Sequence, residues 1–299
     1  MLIAGTGAES ALETARLTEY AANLGYDAAL VRTPFFYKPQ LKAANILAFY
    51  RAVADHSPIP VLIYSVPVFT GYDMPPELVI ELANHPNIIG IKESGGDAEK
   101  IRRMVDGTKH IKRSATVTTT FAAVTPRMIK AAQAESSSES RELVSIGALS
   151  EKASGGHVGT AALGRPAEQQ DSAEPSIPAG LKTRQKEVGF QVLAGSAQKL
   201  LPALEAGAVG AVLAFATPAP TACYEILTAW KEGDAKLARE KQERVSVSAI
   251  RVASELGIPA LKYALDLNGY YGGPPRLPLL PLTADLKAEV EKLMADLRN

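Results

Sequence analysis

One lysine ends a short apolar run, Ile88-Ile89-Gly90-Ile91-Lys92. With a period of two, Ile88, Gly90 and Lys92 share one face of a strand, and Ile89 and Ile91 the other. The carboxyl ends of buried parallel strands are where α/β folds keep their active sites. Desolvation favours the neutral form of an amine, and a neutral amine attacks a ketone to form a Schiff base. Gly90, one pleat below, leaves room for a small substrate. The same pattern fits a lysine whose stem leaves the strand and carries its ammonium to solvent, and pattern alone leaves both readings open. Tyr64 closes the run Val61-Leu62-Ile63-Tyr64 in the same way. A phenol beside Lys92 could relay protons. Taken alone it reads first as an aromatic cap on a barrel end.

Other candidates are weaker. Gly5-Thr6-Gly7 sits between a strand and a helix as a dinucleotide loop does. Ser10 stands where the third glycine belongs, and Asp27 precedes the next strand rather than closing it. His56, His85, His110 and His157 are scattered without a ligand partner at helical spacing, so no metal site is expected. The single cysteine, Cys223, excludes an internal disulfide and a multi-cysteine zinc site, and suits a reducing compartment.

Lys92 and Tyr64 need strands to carry them. Apolar runs at Leu2–Ala4, Ala28–Arg32, Val61–Tyr64 and Ile88–Lys92 alternate with helical patterns near 8–24, 41–54 and 75–83. Two more strands are expected at 191–194 and 210–215, with a helix near 198–205 between them. Short, continuously apolar strands separated by helices signal a parallel sheet covered on both faces. From Pro220 the pattern is helical to the end, broken at Gly257-Ile258-Pro259 and at Gly269 to Pro275. Residues 108–188 break the rhythm, with Ser, Pro, Gln and Glu clusters and few aromatics. They read as a low-complexity, disordered insertion. The strand count is about six. A (β/α)8 barrel needs eight strands and about 250 residues, whereas a doubly wound sheet can use six.

Composition excludes several classes. With 46% hydrophobic and 21% charged residues, the 299-residue chain is globular rather than collagenous, coiled-coil or wholly disordered. No apolar run reaches the ~18 residues of a membrane span. The 32 basic and 32 acidic residues cancel, which removes the electrostatic footprint of a nucleic-acid binder. The N-terminus has neither the basic start nor the apolar run of a signal peptide.

Together these segments resemble the pyruvate-dependent class I aldolases of the dihydrodipicolinate synthase and N-acetylneuraminate lyase family. The matching pieces are Ala4-Gly5-Thr6-Gly7, Thr33-Pro34-Phe35-Phe36-Tyr37, Tyr64-Ser65-Val66-Pro67, Thr70-Gly71, Gly90-Ile91-Lys92-Glu93-Ser94, Ala194-Gly195-Ser196 and Gly207-Ala208-Val209-Gly210. They fall in family order over about 1–107 and 189–299. The Tyr64-Ser65-Val66-Pro67 form and the tail Gly269-Tyr270-Tyr271-Gly272-Gly273-Pro274 are most similar to 4-hydroxy-2-oxoglutarate aldolases and fungal L-threo-3-deoxy-hexulosonate aldolases.

The resemblance implies roles and an architecture. Lys92 would form the Schiff base with a 2-oxo acid and Tyr64 would shuttle the proton. Ser94, Gly195 and Val212 would line the pyruvate pocket, and Thr70 and Gly71 would shape the aldehyde side. No cofactor is implied. The substrate would be 4-hydroxy-2-oxoglutarate or a 3-deoxy-2-oxo sugar acid, giving pyruvate or glyoxylate plus an aldehyde in carbohydrate or amino-acid catabolism. Phe69 stands where lysine-pathway synthases carry an arginine, and Phe36, followed by Tyr37, stands where a tyrosine crosses the subunit interface. The fold implied is an α/β (β/α)8 TIM barrel lacking its first two strand–helix units, plus C-terminal helices. Units three to six fall in 1–107, the insertion in 108–188, units seven and eight in 189–220, and the helical region in 221–299. The family implies a homo-oligomer, which the absent units would disfavour. The expected compartment is cytoplasmic, or mitochondrial if a further N-terminal segment precedes this one. Two alternatives remain from the sequence: an impaired relative or gene-model fragment acting as a binding or regulatory subunit, and an open-sheet nucleotide-binding enzyme.

Overall fold

The computed structural model describes residues 2–118 and 183–297. The chain forms two units, 1–114 with 187–299, and 115–186. The first unit contains every strand expected to carry chemistry. Its elements begin with β1 (Ile3–Gly5), α1 (Ala11–Asn23), β2 (Ala28–Arg32) and α2 (Ala43–His56). They continue through β3 (Val61–Ser65), a single turn α3 (Pro67–Thr70), α4 (Pro76–Ala83), β4 (Ile88–Glu93) and α5 (Ala98–Thr108). Two strands follow, β5 (Arg113–Thr118) and β6 (Thr183–Val188), which pair with each other. The stretch read as a disordered insertion therefore opens and closes in strands. His157 and the rest of 119–182 lie outside the described residues. Beyond it come β7 (Gln191–Ala194), a 3-10 turn (Ala197–Lys199), α6 (Leu200–Glu205) and the two-residue strand β8 (Gly210–Ala211). The end is helical: α7 (Pro220–Lys231), α8 (Ala235–Ser248), a wide π-type turn (Ala249–Glu255), α9 (Ile258–Leu267) and α10 (Ala284–Met294).

Local chemistry explains the helix starts. Ser10 Oγ accepts the Glu13 N–H at 3.1 Å, and Asp97 Oδ1 accepts Glu99 and Lys100 N–H at 2.9 and 3.2 Å. Both satisfy amide donors that a first turn otherwise leaves free.

The six strands form one parallel sheet in the order β1-β2-β3-β4-β7-β8. Among the described residues β1 and β8 each pair on one side only, so the six-stranded sheet is open at both edges. Val31, Ile63, Ile91 and Val192 point into the helical layer and pack in one core with Ile46, Tyr50, Leu82, Ile101 and Met104.

Two details differ from the sequence expectation. The β3–β4 register shifts between Val61 and Leu62, opposite Ile88 and Gly90, and leaves Ile89 without a partner on β3. Such a bulge interrupts the simple alternation assumed from Ile88 onward. Gly90 and Lys92, two residues apart, still share a face, and Leu62 and Tyr64 stand opposite them. The expected strand 210–215 stops at Ala211. Val212 N–H still donates to Ala194 O at 2.9 Å, and the chain then turns, with Thr217 N–H donating to Ala214 O.

Candidate active site

Lys92 and Tyr64 are register partners at the carboxyl ends of β4 and β3. Lys92 is 8% exposed, and its Nζ lies 4.0 Å from the centroid of the Tyr64 ring. This arrangement rejects the reading in which Lys92 simply snorkels to solvent. Both side chains line a cavity of about 310 Å³ together with Ser94 and Gly195.

The walls are built by main-chain bonds between strand ends. Ser94 N–H donates to Ser65 O at 3.0 Å, Gly195 N–H to Glu93 O at 2.7 Å, and Ser196 Oγ to Ser94 O at 3.0 Å. Close approach explains the glycines. A methyl on Gly195 would run into Ser94 Oγ, and one on Gly90 into Gln191 O. Ser94 Oγ is buried without a hydrogen-bond partner among the described residues, so its donor is available to a bound group. Among the described residues Lys92 is the one charged side chain in the lining.

Three expected residues stand apart from the cavity. Thr70 is buried, and its Oγ1 donates to Val66 O at 3.2 Å within α3. Gly71 ends that turn at φ 67°, a left-handed conformation that suits glycine. Val212 contributes its N–H to the β7 ladder. Thr70 and Gly71 thus shape the turn that presents Val68 and Phe69 at the cavity rim, where they are 80% and 74% exposed.

Sequence reasoning missed other parts of the wall. Gln198 and Ser254 add polar groups, and Ala214, Phe215 and Ala253 add apolar surface. Gln198 follows from its nearness to the Gly195 motif. Ala253 and Ser254 come from the π-type turn, far along the chain, and no spacing rule links them to Lys92. Gln242 ties α8, the helix that runs into this turn, to the 3-10 turn and α6, taking Leu201 N–H at 2.8 Å and giving its amide to Ala197 O at 3.0 Å.

The dinucleotide-loop alternative has another structural explanation. Glu9, just after Gly5-Thr6-Gly7, accepts the Phe35 and Phe36 N–H groups at 2.9 Å each and pairs with Arg32 at 3.0 Å. Burial alone would raise its pKa, but these partners hold it below the usual carboxylate range. The same bonds fix the loop bearing Phe36 and Tyr37, which meet edge to face at 5.3 Å and are both exposed. Among the described residues no group of three or more His, Cys, Asp or Glu converges as metal ligands would, and no helix is long and apolar enough to cross a membrane.

Known proteins resemble this chain in sequence and in fold. The chain is 27% identical over 294 residues to a 4-hydroxy-tetrahydrodipicolinate synthase from Exiguobacterium sp., covering 98% of this chain and 73% of the relative. A synthase from Stenotrophomonas maltophilia is 47% identical over 104 residues, 35% of this chain and 34% of the relative. The fold is similar to a crystal structure of dihydrodipicolinate synthase from Bacillus anthracis, with TM-score 0.67 and 20% identity over 99% of this chain and 74% of that one. It is also similar to the Acinetobacter baumannii enzyme complexed with pyruvate, with TM-score 0.66 and 22% identity over 98% and 74%. The sequence profile of the dihydrodipicolinate synthetase family matches residues 1–154 and 178–297, and this chain belongs to that family.

Proposed function

We propose that the chain is a class I aldolase that cleaves a 4-hydroxy-2-oxo acid through an imine on Lys92. The observation that carries this reading is the buried lysine held against Tyr64 at the mouth of parallel strands. Lys92 Nζ attacks C2 of the oxo acid, and loss of water leaves a protonated imine. Tyr64 gives its phenol proton to the hydroxide that departs as this water and, now a phenolate, takes the proton of the C4 hydroxyl. The C3–C4 bond breaks, its electron pair moves toward the imine nitrogen to give an enamine, and C4 departs as an aldehyde. Tyr64 returns the proton to C3, and water hydrolyses the protonated imine to free pyruvate and the lysine, the released proton restoring the Tyr64 phenol. Ser94 Oγ donates to the bound oxo acid, and Gly195 keeps that wall thin. Thr70 and Gly71 act through the turn that sets the aldehyde-side rim, and Val212 through the β7 ladder.

The favoured substrates are 4-hydroxy-2-oxoglutarate and 3-deoxy-2-oxo sugar acids. Phe69 supports them, because it puts an apolar ring on the rim where the family resemblance leads one to expect an arginine. A second reading takes the activity named for the curated relatives, 4-hydroxy-tetrahydrodipicolinate synthase. Parallel assays separate the two: pyruvate release from each hydroxy-oxo acid, and formation of 4-hydroxy-tetrahydrodipicolinate. Release with no synthesis supports the aldolase. Synthesis with no release overturns it.

A further inference from the structure

Glu93 follows Lys92 but turns the other way, into the layer between the sheet and its helices, where it is fully buried. Its carboxylate has two partners. Oε1 accepts the Gly95 N–H at 2.6 Å, and Oε2 lies 3.4 Å from Lys100 Nζ. Lys100 is itself 8% exposed and also pairs with Asp73, whose side chain is 64% exposed. A methyl on Gly95 would meet Glu93 Oε1 at 2.5 Å, so the carboxylate approaches this main chain as closely as glycine permits. Gly95 and Ser94 both line the cavity of Lys92.

We infer that Glu93 and Lys100 are positioning residues, a buried ion pair that fixes the Ser94–Gly95 turn and so sets the wall against which the oxo acid binds. The inference rests on the aldolase reading above. The physical reason is the cost of a buried charge. A carboxylate without its cation takes up a proton or draws in water. Either change weakens its charge-assisted hold on the Gly95 N–H. The turn then relaxes, and small displacements of a binding wall are costly to reaction geometry. Lys100 is not a competing nucleophile, because it stands outside the cavity lining between two carboxylates.

The test measures borohydride trapping of pyruvate across a pyruvate titration, alongside thermal stability. Variants are Lys100→Met, Lys100→Arg and the double change Glu93→Gln with Lys100→Met. In Lys100→Met the half-saturating pyruvate concentration should rise about 10-fold to 100-fold, with the adduct still on Lys92 at saturation. Lys100→Arg should restore most of the affinity. The double variant should recover too, since a neutral amide accepts the Gly95 N–H without needing a cation. If Lys100→Met does not fold, the double variant and Lys100→Arg carry the test. Half-saturation unchanged in Lys100→Met, with only the melting temperature lowered, overturns the inference. So does a double variant that folds yet binds pyruvate no better than the weakened single variant, or, where that single variant does not fold, 10-fold or more worse than wild type. Failure of the wild-type chain to trap pyruvate at all strikes the aldolase reading instead.

Discussion

Lys92 Nζ and the Tyr64 ring face each other across neighbouring strands at 4.0 Å, and both are set by the β3–β4 register rather than by a loop. A site built on strand ends keeps its geometry when nearby loops vary. The lysine sits beside the Tyr64 ring and lines the cavity. On the proposed reading Lys92 carries the imine and Tyr64 moves the proton of carbon–carbon cleavage, so trapping and cleavage can be measured apart.

Replacing Tyr64 with Phe keeps the ring and removes the phenol. The Lys92 adduct with pyruvate should still form under borohydride. The cleavage rate should fall by about 10²–10⁴, the usual contribution of a positioned acid or base. Measuring both in one preparation checks it, and an unchanged kcat contradicts the role given to Tyr64.

Gly195→Ala introduces a methyl into Ser94, touching its side chain and main chain. Overpacking of this kind costs about 1–3 kcal/mol. Urea unfolding should show that loss, and trapping should demand more pyruvate. Full stability together with wild-type trapping would mean that the wall yields freely.

Much of this site was legible in the sequence because period-two alternation and strand ends are local signals. Val61–Tyr64 and Gly90–Lys92 could be placed on strands, and the register then brought their last residues together. The bulge at Ile89 was not legible, since nothing in the run Ile88-Ile89-Gly90-Ile91 says which residue lacks a partner. Nor was the early end of β8, because Val212 to Phe215 are as strand-prone as any run in the chain. Ser254 reaches the cavity only through tertiary packing of the π-type turn. Glu93 was visible as part of a motif, but its pairing with Lys100 depends on α5 lying over β4.

Cys223 should be silent in the native protein. It is buried, and burial pushes its thiol up to about 12. At neutral pH only roughly one part in 10⁵ is thiolate. An alkylating reagent should label it slowly until denaturant is added, which makes it a reporter of unfolding. Fast labelling without denaturant would contradict the packing of α7.

Glu9 gives a pH dependence with a definite sign. Its folded-state pKa is lowered, so its contribution to stability is complete above the unfolded value and is lost as pH falls through the lowered one. The stability gap between wild type and Glu9→Gln should be largest near about pH 6–7 and shrink toward about pH 3. Thermal melts across that range check it. A gap that widens in acid would contradict the bonds from Phe35, Phe36 and Arg32.

The most direct measurement is to incubate the purified chain with pyruvate and borohydride, then map the adduct by peptide mass spectrometry. One reduced adduct is expected, on Lys92, lost in Lys92→Met. A folded chain with no adduct, or with the adduct on another lysine such as Lys100, would contradict it.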